Sequence, residues 1–308
     1  MILISYKSKQ ILVQILKILI VTSAFYFVYN ELKNNDKLEW EKFWIIFNKN
    51  QSILGIFFIL MLSFFNRYFE ILKWQNLAQI VQQISIGNAT KQVLAALTLG
   101  VFTPVGVGEY AGKALYYDKT KTSEIVFLNL ICNGIQMVAT TIFGIIGMIF
   151  LGYYLWSIGI IAVLTVVLFF IYLTKNAKIK GYTIQDFILK INSIPTKIHQ
   201  KNILLGFARY MVFTHQYYFL LLAFDVKVSY ILLISTITTV YFLASVIPSF
   251  QFLDFALKGS LAIYFFNVLG VNSWVIFFIT ALMWFLNVAI PVILGSFYVL
   301  TFKLSEEI

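Results

Sequence analysis

Residues 103–117, TPVGVGEYAGKALYY, set a proline, three glycines, a glutamate and a lysine between two apolar stretches. The first arm of this region, 89–103, is about 15 residues long and the second, 109–117, about 9. At 1.5 Å per residue both fall short of the ~30 Å hydrocarbon core of a bilayer. A helical hairpin that leaves the membrane on the side it entered fits these lengths better than two spans. Pro104 breaks the helix, and Gly106 and Gly108 permit a tight reversal. They do not form a nucleotide fingerprint, because no strand precedes them and no later glycine completes a dinucleotide or P-loop pattern.

The rest of the chain is built for lipid. Of its 308 residues, 60% are hydrophobic and 12% charged, against roughly 45–50% and about 25% in soluble domains. Candidate spans are 11–30, 43–65, 125–150, 154–174, 202–224 and 273–302, while 89–117 and 229–268 are apolar but broken by proline. The expectation is an all-α polytopic membrane protein, one integral domain over 1–308, with about six spanning helices and two broken or re-entrant helical hairpins. Lys7 and Lys9 precede an apolar run with no small-x-small cleavage site, so that run reads as a retained helix. Cys132 is the only cysteine, and His199 and His215 are the only histidines. This excludes an internal disulfide, and neither a metal nor another cofactor is expected.

The net charge of +10 is almost all lysine, since Arg67 and Arg209 are the only arginines. That pattern suits an anionic membrane surface and argues against nucleic acid as a partner. In the linker 175–201 six lysines oppose only Asp186, which places it in the cytoplasm by the charge rule. Counting spans from there puts 118–121, Arg67, Lys73 and both termini inside, and 31–42 outside. The stretch 67–87 is amphipathic, so Lys73 and Trp74 suit a helix lying in the interface and Arg67 reads as an interfacial anchor.

The opening segment has a counterpart in 247–266, IPSFQFLDFALKGSLAIYFF. Pro104 matches Pro248, Glu109-Tyr110-Ala111 matches Asp254-Phe255-Ala256, and Lys113 matches Lys258. Repeat 1 covers about 43–150 and repeat 2 about 202–302. The span after each hairpin carries a stripe at i, i+4, i+7 and i+11: Asn129, Asn133, Gln136 and Thr140, then Thr280, Trp284, Asn287 and Pro291. Such spacing occupies one helix face, which in a bilayer turns to protein or water. By parity the second hairpin opens from the opposite side to the first. Inverted repeats of this kind hold a central site at their interface in secondary transporters. The second pair of arms is also long enough for two full spans, which preserve the same parity.

These features resemble the transmembrane region of lysylphosphatidylglycerol synthases, the flippase-like family. The residues that carry the resemblance are PVGVGEYAGK, the proline–acid break of the second half, ILKWQNLAQIVQQISI, and PVILG near the end. The resemblance implies a polytopic helical protein with two re-entrant hairpins, acting in lipid translocation or envelope lipid chemistry of the bacterial cytoplasmic membrane. The chain departs from that pattern where SFQFLDF lacks glycines, and where Asn129, Asn133 and Trp284 replace common charges. No soluble synthase domain is expected after Ile308.

The acid and lysine of each hairpin stand four residues apart near a helix start. Dipole compensation and i,i+4 pairing contribute a few tenths of a kcal/mol. A charge at mid-bilayer costs ~2.5–3.5 kcal/mol, and serine or asparagine caps more cheaply. The repeated pair therefore indicates function. Glu109, Lys113, Asp254 and Lys258 are candidate ligands for an anionic headgroup at half-helix N-termini, backed by Asn129, Asn133, Gln136 and Asn287. Arg209 either joins this cavity or snorkels to the surface, and His215 reads as a packed polar residue. No aspartate cluster for Mg²⁺ and no Ser–His–Asp set is present, so an enzyme is not expected. The expected function is transport of a lipid or lipid-linked intermediate by alternating access. The alternative is a non-catalytic membrane partner of an envelope glycosyltransferase or lipid-modifying enzyme, docked through 175–201.

Overall fold

The computed structural model describes residues 15, 52–101, 103, 106–178, 183–247 and 254–302, the side chain of Asp254 excepted. Apart from Ile15, the expected span 11–30 lies outside these residues, as do the loop 31–42, positions 43–51 of the expected span 43–65, and both prolines of the hairpin breaks, Pro104 and Pro248. Among the described residues the regular structure is helical throughout.

The first long helix, α1 (Ile53–Ala78), starts at Ser52, whose hydroxyl accepts the Gly55 N–H. Ser85 caps α2 (Ile86–Gly100) in the same way, each serine satisfying a donor that the first helical turn leaves free. Next come α3 (Val107–Ala114), a 3₁₀ turn (Lys119–Lys121), α4 (Thr122–Phe150), α5 (Tyr154–Thr174) and α6 (Ile184–Asn192). The second half holds α7 (Thr196–Ala223), α8 (Tyr230–Val246), α9 (Asp254–Val268) and α10 (Ser273–Trp284). A π turn (Phe285–Ala289) then leads into α11 (Ile290–Thr301).

Among the described residues four helical stretches are long and apolar enough to cross a membrane: Ile53–Ala78, Lys119–Phe150, Tyr154–Thr174 and Ser273–Thr301. Tyr230–Val246 and Phe255–Val268 are shorter apolar helices. The chain is thus a multi-pass helical membrane protein. The expected span 202–224 falls inside α7, where Arg209, Thr214, His215 and Gln216 keep the helix outside that apolar set. In α5, by contrast, only Ser157 is buried, leaving an outward apolar surface of the kind lipid solvates.

The interfacial expectation for this region is overturned. The stretch 67–87 is not an interfacial helix, because α1 runs unbroken to Ala78 and buries Lys73 and Trp74 completely, both at 0% exposure. Tertiary partners make this possible. Glu70 neutralises Lys73 at 3.2 Å, and Trp74 Nε1 donates to Gln92 Oε1 at 2.6 Å. Amphipathic spacing reads only polarity along the chain and cannot see such partners.

The halves interlock. Helix α1 packs on α7, α4 on α8 and α2 on α11, while α2 pairs with α3 and α8 with α9. Glycines set the closest of these approaches. A Cβ on Gly144 would stand 2.1 Å from Phe242 Cβ, and one on Gly295 would stand 2.2 Å from the Leu94 carbonyl oxygen. One apolar core centres on Tyr217, Leu221, Ile237, Phe266 and Ile276. A second, around Trp74, Leu77, Ile125, Leu128 and Ile194, holds the first hairpin.

Candidate functional site

The reversal between α2 and α3 positions the first charged pair. Gly106 adopts the left-handed conformation at φ 69°, which a side chain would strain. Thr103 Oγ1 donates to the Gly100 carbonyl at 2.8 Å and accepts the Gly108 N–H at 2.7 Å. A Cβ on Gly108 would lie 2.3 Å from the Leu99 carbonyl oxygen, so the arms touch backbone to backbone. This geometry places Glu109 in the first turn of α3 and Lys113 in its last, each at the end its charge favours.

Lys113 is 2% exposed. Its Nζ donates to Asn129 Oδ1 at 2.6 Å and sits 4.5 Å from the Trp74 ring centroid. A buried ammonium thus gains a hydrogen bond and an aromatic face in place of water. Beside it lies an ion cluster that sequence spacing did not reveal. Arg209 Nη1 meets Glu70 Oε2 at 2.8 Å, and Lys73 meets the same oxygen.

A chain of hydrogen bonds runs on from this cluster across α4, α7, α1 and the π turn. Gln136 Oε1 accepts from Arg209 Nη1 at 3.4 Å, and Arg209 Nε donates to Asn66 Oδ1 at 3.1 Å. Asn66 Nδ2 donates to Asn287 Oδ1 at 2.6 Å, and Arg67 Nη2 donates to the Asn287 carbonyl at 2.7 Å. Asn287 Nδ2 continues to Gln216 Oε1 at 3.1 Å.

These groups surround a cavity of about 560 Å³, within the usual range for small-ligand sites. Its wall brings together Glu109, Lys113, Asn133, Gln136, Arg209, Lys258 and Asn287. Lys258 Nζ stands 5.5 Å from the Tyr241 ring centroid. Asn129, expected to back the charged residues, is fully buried and accepts from Lys113 rather than lining the cavity. The Asp254 side chain, Pro104 and Pro248 lie outside the described residues.

Arg67 is not an interfacial anchor: it lines the cavity with Asn66 and Glu70. The only available signal was that α1 carries three polar residues within five positions, at 66, 67 and 70. The local amphipathic pattern masked it. His215 is held by the Met211 carbonyl at 2.8 Å and by Tyr230 Oη at 2.9 Å, as a packed polar side chain.

Chemically, four cationic side chains (Arg67, Lys113, Arg209, Lys258) share the wall with two carboxylates, Glu70 and Glu109, among the described residues. Two wall donors, Arg67 Nε and Gln136 Nε2, are buried with no hydrogen-bond partner. Because Arg209 donates to Gln136 Oε1, the free end of that amide is its N–H₂. The site's excess of charge and of unmatched donors suits an anion rich in acceptor oxygens.

A sequence profile described as the lysylphosphatidylglycerol synthase TM region matches residues 14–251. No curated protein and no solved structure matches the chain.

Proposed function

The chain belongs to the lysylphosphatidylglycerol synthase transmembrane-region family, and from that premise we propose that it translocates a lipid or lipid-linked intermediate with an anionic headgroup. The carrying observation is the convergence of Lys113 and Arg67 from the first half with Arg209 and Lys258 from the second on one cavity. The proposed setting is the bacterial cytoplasmic membrane, with both termini and the 175–201 linker on the cytoplasmic side. Headgroup charge meets the cations inside, and acyl chains stay with the apolar flanks.

Alternating access between two inverted repeats is the proposed mechanism. Its support is an exchange in the packing. Gly144 stands four residues after Thr140, and Gly295 four after Pro291, so both follow the polar stripe at the same distance. Gly144 abuts Phe242, six residues before Pro248, and Gly295 abuts Thr98, six before Pro104. Swapping the halves turns one contact into the other, as a two-fold relation requires. On this reading α2–α3 and α8–α9 are re-entrant gates that move against the opposite half.

Translocation of fluorescent anionic phospholipid by protein in liposomes tests the reading. Lys258→Ala removes a wall cation and Lys113→Ala a buried one; a drop of about tenfold or more in either variant fits the loss of a charged hydrogen bond. Unchanged translocation in both variants sinks the site. Absence of translocation by the wild type, with an envelope enzyme co-purifying, instead favours the partner role.

A further inference from the structure

Arg67 meets a backbone fault. In an α-helix the carbonyl of residue 287 accepts from the N–H of residue 291, and Pro291 has none. The helix loosens into a π turn over Phe285–Ala289 at this place, with the Ile290 N–H reaching back to the Phe285 carbonyl. Arg67 Nη2 fills the missing donor's place on the Asn287 carbonyl at 2.7 Å, from a different helix. The same guanidinium lines the cavity and keeps its Nε buried without a partner. Its planar fork fixes the donors relative to one another, so an anion in the cavity that takes the free Nε and its neighbours competes with the carbonyl for the same guanidinium. Of the 23 basic residues of the chain just two are arginine, and both stand in this one hydrogen-bonded chain.

We propose that Arg67 couples occupancy of the cavity to the bend at the π turn, trading the Asn287 carbonyl for the anionic oxygens of the bound headgroup. A ligand shifts a conformational equilibrium only through contacts that differ between its states. Arg67 supplies such a difference. While it holds the carbonyl, the π turn is satisfied in its present bend. When an anion draws the guanidinium inward, residue 287 loses that donor and the segment between α10 and α11 re-bends to find another. Since α11 packs on α2, the re-bending reaches the first hairpin. The device rests on the transport reading for its purpose but not for its detection.

The test places nitroxide labels across the turn, at Trp274→Cys and Phe297→Cys, leaving buried Cys132 in place. The label separation is read by electron paramagnetic resonance in phosphatidylcholine bilayers with and without phosphatidylglycerol. In the wild type the anionic lipid shifts the distance distribution. In Pro291→Ala the helix supplies its own donor, so the shift disappears and translocation falls about tenfold or more. Arg67→Lys keeps the charge and loses the fork, and gives the same loss of response as an independent readout should Pro291→Ala fold poorly. A wild-type distance that ignores the anionic lipid, or either variant responding like the wild type, overturns the coupling. A responsive distance without translocation overturns the transport reading and leaves the coupling standing.

Discussion

Glu70 shows what single residues do in this fold. It is a buried carboxylate between two cations, Arg209 at 2.8 Å and Lys73 at 3.2 Å. Ionic groups so placed are costly to bury and more costly to leave half paired. Glu70→Gln strands both cations, and we expect about 3–5 kcal/mol of destabilisation, seen as a lower unfolding temperature in detergent. Pairing it with Arg209→Met should recover part of that loss, with a coupling energy of about 1–3 kcal/mol in a double-mutant cycle. Strict additivity would mean that the ion pair carries no coupling. The local signal for Glu70, its closeness to Asn66 and Arg67 in the sequence, was masked because Lys73 and Trp74 beside it read as an interfacial face. Its role comes from Arg209, on another helix. Glu109 and Lys113 were easier to single out, because a proline, glycines and an acid–lysine pair stand out against 60% hydrophobic residues.

At the level of elements, glycine spacing decides how closely helices approach. A Cβ on Gly147 would stand 2.3 Å from Thr238 Oγ1 and 2.6 Å from the Ser235 carbonyl oxygen. Gly147→Ala should therefore prise α4 from α8 and cost about 1–3 kcal/mol. Gly134, on the same helix, has nothing within 4 Å, so Gly134→Ala should be neutral or stabilising by up to about 1 kcal/mol. Equal melting of the two variants would refute the packing of α4 on α8. The linker helix α6 offers a pH-dependent case. Thr183 and Asp186 form a capping box, and hydrogen bonds from the Thr183 side chain, then its backbone N–H, hold the Asp186 carboxyl below its usual range. A carboxylate depressed in the folded state stabilises fully above its ordinary pKa, and the contribution is lost as pH falls through the depressed value. Protection of the 184–192 amides, measured as the exchange rate relative to the intrinsic rate at each pH, should fall on acidification through that window, and Asp186→Asn should remove this fall. The elements themselves were largely legible, because long apolar runs and proline breaks are local signals. The π turn was not: its cause, Pro291, lies in the following helix and its partner, Arg67, in α1.

If the chain is the pair of inverted repeats proposed above, its two halves are not equally open. Ser245, three residues before Pro248, is exposed on the cavity wall, and Val246 beside it is 62% exposed. Its counterpart Val101, three residues before Pro104, is 3% exposed. On the proposed inverted-repeat reading, one of two matched positions is open and the other closed, as one state of an alternating pair would have them. If the halves exchange conformations, the opposite state exposes Val101 and buries Ser245, and the two accessibilities must move in opposition. Single-cysteine variants Ser245→Cys and Val101→Cys, each with Cys132→Ser, report this through their rates of reaction with a maleimide in liposomes. Ser245→Cys should react faster in zwitterionic bilayers. A substrate lipid that favours the other state by about 1.4 kcal/mol shifts the balance tenfold, slowing Ser245→Cys as it speeds Val101→Cys. Rates that rise or fall together would mean simple opening of the protein rather than exchange. A Val101→Cys that stays unreactive in every lipid would mean a single-sided pocket, in which case the cavity binds its ligand without passing it on.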